Sequence, residues 1–239
     1  MRSRLTRFAL LIGFACGIFL LMTNLCIASK EATPLICIDP GHPSEVSAGD
    51  ALQNGAREVT ICWQVARKLR ENLEKMGLRV IMTKSTERER VTNRRRAEIA
   101  NEAEATLGIR LHCDTGKHSG YALYYPDRQG TVDGTTGPDA GIIRASQKAA
   151  MAVHGPLAKI LQRKLKDGGV LGDSKTFIGG KHGALTGSIF SKVTVVLIEM
   201  AVLTRKSDVQ FINSASGQTI MAEALAQGLA NAVKTKKRP

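Results

Sequence analysis

The chain is poor in aromatic residues and in negative charge, it has few cysteines, and no internal repeat is visible. Aromatic residues make up 4% of the 239 positions and are not interleaved with basic stretches, so a stacking surface for single-stranded nucleic acid is not expected. The five cysteines show no CxxC spacing, which argues against a cysteine zinc site and against a disulfide framework. The formal net charge of +13 favours an anionic partner.

Residues 1–28 have the pattern of a secretory signal. An arginine-rich start precedes an apolar stretch from Phe8 to Met22, and Cys26-Ile27-Ala28 offers small residues at the two positions that a signal peptidase reads. An uncleaved membrane anchor is the alternative, because apolar residues continue to nearly spanning length, and membrane contact is expected through this segment alone. The pattern predicts a secreted or periplasmic protein. It argues against a nucleic-acid partner, so the remaining charge of +10 is expected to meet an acidic extracellular polymer.

Three cysteines follow the predicted signal: Cys37, Cys62 and Cys113. An odd count without CxxC spacing favours buried free thiols. A disulfide between Cys37 and Cys113 is the alternative, since both are expected on strands near one candidate site, and the sequence leaves this choice open.

From residue 35 onward, short apolar runs alternate with segments of helical periodicity. Strands are predicted at 35–38, 78–83, 107–112, 121–125 and 193–198, and helices at 58–76, 92–105, 145–167 and 217–234. The Gly/Asp/Thr-rich residues 126–143 are predicted to form a surface loop. This alternation predicts a three-layer α/β domain over residues 35–232, with a mostly parallel central sheet flanked by helices. Residues 233–239 are predicted to be a basic tail.

Polar residues follow three of the predicted strands. His42 comes after Asp39-Pro40-Gly41, His112 ends its strand, and Glu199 ends a run of apolar residues. Ligands of open α/β sheets gather beyond the carboxyl ends of the strands, so these side chains are expected to meet at one edge. Glu58, at the start of the first helix, adds a carboxylate. Two imidazoles and one carboxylate suit a hydrolytic zinc ion, and a nearby carboxylate can then act as a base.

Each of these residues has a simpler explanation on its own. His42 can be an exposed turn residue, Glu58 can complement the helix dipole, and His112 can be an edge histidine. Glu199 is harder to explain in this way, because a carboxylate after the largely apolar run at 193–198 is costly unless it is paired or functional. Glu45, three residues after His42, is a rival to Glu58 as a ligand.

Two further residues are candidates for the site. His182 lies in a predicted glycine-rich loop shortly before the Glu199 strand and is a candidate for binding substrate. Asp39 is expected either to orient a ligand imidazole through its free N–H or to cap the turn before His42.

Five segments of the chain resemble the zinc-dependent N-acetylmuramoyl-L-alanine amidases of the amidase-3 type: residues 36–42, 55–58, 96–101, 111–114 and 196–199. The resemblance extends from about residue 35 to 232. It implies a phosphorylase/hydrolase-like α/β fold, and zinc bound by the residues matching His42, Glu58 and His112. It also implies that Glu199 is the catalytic carboxylate and that the substrate is peptidoglycan, cut between N-acetylmuramic acid and L-alanine.

The chain departs from the family pattern at two places. Pro43-Ser44 follows the first histidine where the family has glycine, and Arg110 stands where the family has serine. Strand alternation points Arg110 to the same face as His112, so its guanidinium is expected either to bind a substrate carboxylate or to weaken zinc binding by repulsion. Two other functions therefore stay open: a catalytically impaired peptidoglycan-binding or regulatory module, and a different zinc peptidase or deacetylase on the same fold.

Overall fold

A computed structural model describes residues 32–235, which are built around one six-stranded sheet. In chain order the strands are β1 (Leu35–Pro40), β2 (Arg79–Met82), β3 (Leu107–Asp114), β4 (Tyr121–Tyr125), β5 (Gly130–Val132), β6 (Thr135–Gly137), β7 (Asp167–Gly172) and β8 (Val195–Val202). The main sheet has the order β2-β1-β3-β8-β4-β7, while β5 and β6 form a separate pair. Strands β2, β1, β3 and β8 are parallel, and β4 pairs with β8 in the antiparallel direction. The predicted mostly parallel α/β architecture is confirmed.

Seven helices surround the sheet within the described residues. They are α1 (Glu58–Lys75), α2 (Asn93–Glu102), α3 (Ala140–Leu161), α4 (Phe177–His182), α5 (Thr186–Ile189), α6 (Lys206–Ile212) and α7 (Ala215–Thr235). Helix α1 follows the predicted periodicity closely, because Ile61, Val65, Leu69 and Leu73 form its buried face. Gly77 ends this segment with φ +78°, a conformation that glycine adopts without steric cost. In residues 32–235, none of the helices has the combined length and apolar character needed to span a bilayer.

The two faces of the sheet are covered by different helices. On one face the main hydrophobic core joins Ile36, Ile38 and Leu111 of the sheet to helices α1, α3 and α7. On the other face a small cluster joins Cys37 to Ala100 of α2. Successive strand residues point to opposite faces, so this alternation produces three layers and leaves the strand ends for polar residues.

The predicted loop at 126–143 contains a hairpin, so this prediction is wrong in part. Strands β5 and β6 are joined by Asp133 and Gly134, whose φ angles are +48° and +72°. An Asp-Gly pair with two positive φ angles is a favoured turn for a two-residue hairpin. The glycines at the outer ends of the hairpin allow close packing: a Cβ at Gly137 would lie 2.3 Å from the carbonyl oxygen of Ile189.

The predicted helix at 145–167 is also corrected. Helix α3 begins earlier, because the Asp139 carboxylate accepts a hydrogen bond from the backbone N–H of Ile142 at 2.9 Å and so caps the helix. It ends at Leu161, and the edge strand β7 follows. The sequence of β7, Asp-Gly-Gly-Val-Leu-Gly, hides this strand because glycine is uncommon in strand interiors.

Two predicted segments lie at the ends of the chain, the signal and the basic tail. The predicted signal over residues 1–28 lies outside the described residues. Helix α7 extends to Thr235, so the predicted basic tail begins in a helix, and residues 236–239 lie outside the described residues.

The three described cysteines are free and buried, as expected for structural thiols. Cys37 packs with Ala100 on the α2 face, whereas Cys113 belongs to the main core on the other face. Because β1 and β3 direct these thiols to opposite faces, the alternative of a Cys37–Cys113 disulfide is excluded. Cys62 lies beside Cys113 and shares a side-chain hydrogen bond with it.

Candidate metal centre

The turn after β1 carries His42 across the end of β3. The backbone N–H of Gly41 donates to the carbonyl oxygen of Leu111 at 2.9 Å, which fixes the turn against that strand. A Cβ at Gly41 would lie 2.6 Å from Cε1 of His112, so only glycine allows this close approach. His42 itself has φ +55°, a conformation that residues with a side chain rarely adopt.

A hydrogen bond orients the His42 imidazole. Its Nδ1–H donates to the carbonyl oxygen of Ser47 at 3.1 Å, and Nε2 lies 3.2 Å from Oε2 of Glu58. With a proton on Nδ1, Nε2 is the ring nitrogen that faces the carboxylate, and it can bind a metal ion when it is not itself protonated. Burial acts to lower the pKa of His42, but the hydrogen bond and charge of Glu58, with help from Ser47, outweigh it and raise this pKa.

Glu58 lies between the two imidazoles at the first position of α1. Its Oε1 lies 3.0 Å from Nδ1 of His112 and also accepts a hydrogen bond from the backbone N–H of Cys113 at 3.1 Å. Burial acts to raise the pKa of Glu58, but the contacts with His112 and His42 outweigh it and lower this pKa to about 2. The carboxylate is therefore ionised at neutral pH and can act as an anionic ligand.

His112 completes the cluster from β3. Burial lowers the pKa of His112, which keeps its ring neutral at neutral pH. Its Nε2 is buried and has no hydrogen-bond partner. One ligand atom from each of His42, Glu58 and His112 lies within 4.8 Å of the other two. Within residues 32–235, this is the one group of three such side chains that could hold a metal ion.

Glu199 is next to this cluster on the neighbouring strand. It pairs directly with His112 in the register between β3 and β8, and its Oε2 is buried without a hydrogen-bond partner. Burial, followed by the charges of Glu58 and Asp114, raises the pKa of Glu199 well above its usual value. The expectation that Glu199 ends its strand is wrong, because β8 continues to Val202. Glu199 nevertheless lies beside His112 on the neighbouring strand.

Arg110 and Asp39 form a buried ionic network beside the cluster. Arg110 Nε donates to Oδ2 of Asp39 at 2.9 Å, and Arg110 Nη2 donates to Oδ1 of Asn93 at 2.7 Å. Asp39 also accepts hydrogen bonds from Arg96 Nη1 and from the hydroxyl of Thr83, both at 2.5 Å. Asp39 therefore does not hold a ligand imidazole. The Arg110 guanidinium has intramolecular partners, and its binding of substrate stays a prediction.

Two other sequence candidates occupy different surroundings. Glu45 accepts hydrogen bonds from the backbone and side-chain N–H groups of Asn93, with the backbone contact at 2.9 Å. Glu45 thus caps the start of α2 and is not part of the three-residue group. His182 lies in the last turn of the short helix α4 and not in a loop, and its contact with substrate stays a prediction.

Sequence reasoning did not identify Lys84, which lies behind the His42 turn. Its side chain is buried, and Nζ donates to the carbonyl oxygens of His42 and of Glu87, the latter at 2.9 Å. Burial, followed by the charge of Arg96, lowers the pKa of Lys84 to about 8. A single lysine after a short strand carries no recognisable pattern, and only the pairing of β1 with β2 brings it to His42.

Two imidazoles, an ionised carboxylate and an adjacent carboxyl group are the side chains of a metal-dependent hydrolase on an α/β sheet. The family model described as N-acetylmuramoyl-L-alanine amidase, Amidase_3, matches residues 36–231. The chain belongs to this family and is therefore a hydrolase that acts on peptidoglycan. This result favours the amidase over the two other functions left open by the sequence.

The chain is also similar to individual proteins. The N-acetylmuramoyl-L-alanine amidase Rv3717 of Mycobacterium tuberculosis is 23% identical over 250 residues, which cover 92% of this chain and 97% of the relative. The amidase AmiC2 of Nostoc punctiforme shares the fold with a TM-score of 0.66 at 21% identity, covering 86% of this chain and 98% of that one. Cwp6 from Clostridium difficile matches with a TM-score of 0.67 at 23% identity, over 84% of this chain and 30% of Cwp6.

Proposed function

We propose that the protein is a zinc-dependent amidase in which His42, Glu58 and His112 bind the metal and Glu199 transfers protons. The observation that carries this proposal is the convergence of three ligand atoms within 4.8 Å of one another, beside a buried carboxyl on the next strand. The bond to be cut is the amide between N-acetylmuramic acid and L-alanine in peptidoglycan.

The residues of the cluster fit a zinc ion. Two imidazole nitrogens and one carboxylate oxygen are a ligand set of catalytic zinc sites, which keep one position for water or substrate. In the described structure, His112 Nε2 and Glu199 Oε2 are each buried without a partner, and a buried polar atom of this kind is costly unless a further group satisfies it. The orientation of His42, with Nε2 facing Glu58, also suits a cation between the two side chains.

Zinc, when bound, would supply Lewis-acid activation of the scissile carbonyl group and of water. Glu58 contributes the negative charge of the ligand set, while the two neutral imidazoles leave the site with a net positive charge. Glu199 takes a proton from the attacking water and delivers it to the departing alanine nitrogen. The direction of the pKa shift of Glu199 suits this role, because burial makes the carboxyl group hold a proton more readily than an exposed glutamate does.

The same proposal includes the location and the anionic partner of the enzyme. A cleavable signal over residues 1–28 would deliver the domain to the cell envelope, where peptidoglycan is found. The excess of lysine and arginine, +10 without the signal, would hold the enzyme on the anionic wall. This attraction is expected to weaken with added salt, because exposed charges are screened.

Digestion of isolated peptidoglycan sacculi tests the proposal. The expected products, identified by mass spectrometry, are free peptides that begin with L-alanine and glycan strands without peptides. Cleavage within the stem peptide or release of acetate would instead indicate a different zinc hydrolase. Binding to sacculi without any product would indicate a module that keeps the fold without the chemistry.

A further inference from the structure

Two buried cations bind the backbone of the turn that carries His42. Arg96 Nη1 donates to the carbonyl oxygen of Pro40 at 2.6 Å, and Arg96 Nη2 donates to that of Pro43 at 2.9 Å. Lys84 Nζ donates to the carbonyl oxygen of His42 itself. Three of the four carbonyl groups in residues 40–43 are therefore held by side chains from other parts of the chain.

The two cations differ in how their charge is compensated. Arg96 is 3% exposed and has the carboxylate of Asp39 as its ion-pair partner. Lys84 is 4% exposed, yet within residues 32–235 no carboxylate lies at ion-pair distance from its Nζ. Its other neighbours are the carbonyl oxygen of Glu87 at 2.9 Å and the ring of Trp63, whose centroid is 5.8 Å away. A buried lysine without a counter-ion is costly, so its retention calls for a specific role.

The His42 turn needs such external support. His42 has φ +55°, a sparsely populated conformation that persists only where the surroundings determine it. Residues 41–44 belong to no helix or strand. Two backbone hydrogen bonds join them to distant segments, from Gly41 N–H to the Leu111 carbonyl oxygen at 2.9 Å and from Val91 N–H to the Pro43 carbonyl oxygen at 3.2 Å. A hydrogen bond from a cation to the carbonyl group of His42 fixes the peptide plane from which the imidazole projects toward Glu58.

We propose that Lys84 is a positioning residue of the metal centre, which together with Arg96 holds the His42 turn in the conformation that directs Nε2 of His42 to the metal. This inference rests on the proposed function, since it assigns His42 as a ligand. The partners of metal ligands commonly contribute 10–100-fold to metal affinity, although they do not touch the ion. A purely structural role for Lys84 would instead affect the stability of the metal-free fold.

The test is the zinc affinity of Lys84→Met, measured by competition with a chromophoric chelator on the full chain. Methionine keeps an apolar stem beside Trp63 and removes the ammonium group. We expect zinc binding to weaken by about 10–100-fold. Thermal unfolding of the metal-free variant is expected close to the wild-type temperature, because the loss of two hydrogen bonds to carbonyl oxygens is offset by the removal of a buried ammonium group. Lys75→Met, an exposed lysine at the end of α1, is the matched control and should bind zinc like the wild type.

Lys84→Arg provides the second variant, and it keeps both the positive charge and the N–H donors. A surface groove of about 700 Å³, lined in part by Trp63, Met82 and Lys84, gives the longer side chain room. Zinc affinity within about threefold of the wild type is expected for this variant, because a donor to the His42 carbonyl group is retained.

Three results would overturn the inference. Zinc affinity of Lys84→Met equal to that of the wild type would remove Lys84 from the metal centre. A loss of zinc affinity accompanied by an equal loss of stability in the metal-free protein, not restored in Lys84→Arg, would assign a structural role only. A wild-type protein that binds no zinc would refute the metal centre itself, and this outcome is distinct from wild-type binding that the variant leaves unchanged.

Discussion

Two polar clusters lie side by side at the ends of β1 and β3, and they differ in whether their buried atoms have partners. In the Asp39 network, formed by Asp39, Arg96 and Arg110, both carboxylate oxygens accept hydrogen bonds from the guanidinium groups. None of these three side chains has a buried polar atom without a partner. Such a closed network stabilises and orients the surrounding backbone but has no atom left for an additional ligand.

The metal centre, formed by His42, Glu58, His112 and Glu199, is the opposite case. Nε2 of His112 and Oε2 of Glu199 are buried without any partner in the described structure. The Asp39 network pairs a carboxylate with two guanidinium groups and its residues are buried, whereas the metal centre combines imidazoles with carboxylates and its residues are half-buried. Buried polar atoms without a partner indicate that the metal centre binds an external group. The Asp39 network, in which these atoms are paired, instead supports the surrounding backbone.

The largest effect is expected at the proton-transfer residue of the metal centre. Glu199→Gln should lower amide hydrolysis by about 10²–10⁴-fold, the usual contribution of a general acid or base. Its zinc content should remain near one per chain, because Glu199 is not a proposed ligand. Release of L-alanine peptides from sacculi and elemental analysis measure these two quantities. Glu45→Gln is the matched control, since Glu45 only caps α2, and activity retained by Glu199→Gln would remove Glu199 from the mechanism.

A smaller effect, on stability, is expected in the Asp39 network. Asp39→Asn would leave the buried guanidinium groups of Arg96 and Arg110 without their counter-ion, which typically costs about 3–5 kcal/mol. Urea unfolding of the full chain measures this change in the free energy of unfolding. Asp50→Asn, which removes only an exposed ion pair with Arg88, should change stability by less than about 1 kcal/mol. Equal effects of the two substitutions would contradict the structural role of the network.

Asp173 is a further test of the comparison, because it is a buried carboxyl with one unpartnered oxygen that lies outside the three-residue group able to hold a metal ion. Burial is the main cause that raises its pKa to about 6. An acid whose pKa is higher in the folded than in the unfolded state binds more protons when folded, so stability falls as pH rises from 3.8 to about 6.

Asp173→Asn should therefore stabilise the protein at pH 8, by up to about 3 kcal/mol, and should have little effect near pH 4. Urea unfolding at the two pH values measures the difference. A variant that is less stable than the wild type at pH 8 would show that the ionised carboxylate has a favourable partner, such as a bound cation. Zinc content should be unchanged, because Asp173 is not a proposed ligand.

The sequence predicted the layers and the ligand cluster because both depend on local patterns. The helical periodicity of residues 61–73 and the apolar runs of β1, β3 and β8 determine which faces are buried. Polar residues after parallel strands necessarily share one edge of the sheet, so His42 and His112 were expected to meet. The hairpin could also have been identified, since Asp133-Gly134 between short β-forming runs is a specific turn signal.

Other features depend on contacts between distant segments and had no local signal. Glycine makes up half of the residues in β7, and this segment forms a strand only by pairing with β4. Arg110 was expected to approach the metal or a substrate, but Asp39 and Asn93 bind its guanidinium. The position of Lys84 beneath His42 requires the pairing of β1 with β2, which a single sequence does not encode as a recognisable motif.

The most direct test of the metal centre is the zinc content of purified protein after equilibration with zinc and removal of free metal. One zinc per chain is predicted for the wild type, and a large loss is predicted for His42→Ala, Glu58→Gln and His112→Ala alike. Wild-type protein without zinc, or variants that retain one zinc per chain, would contradict the assignment of these three side chains as the ligands.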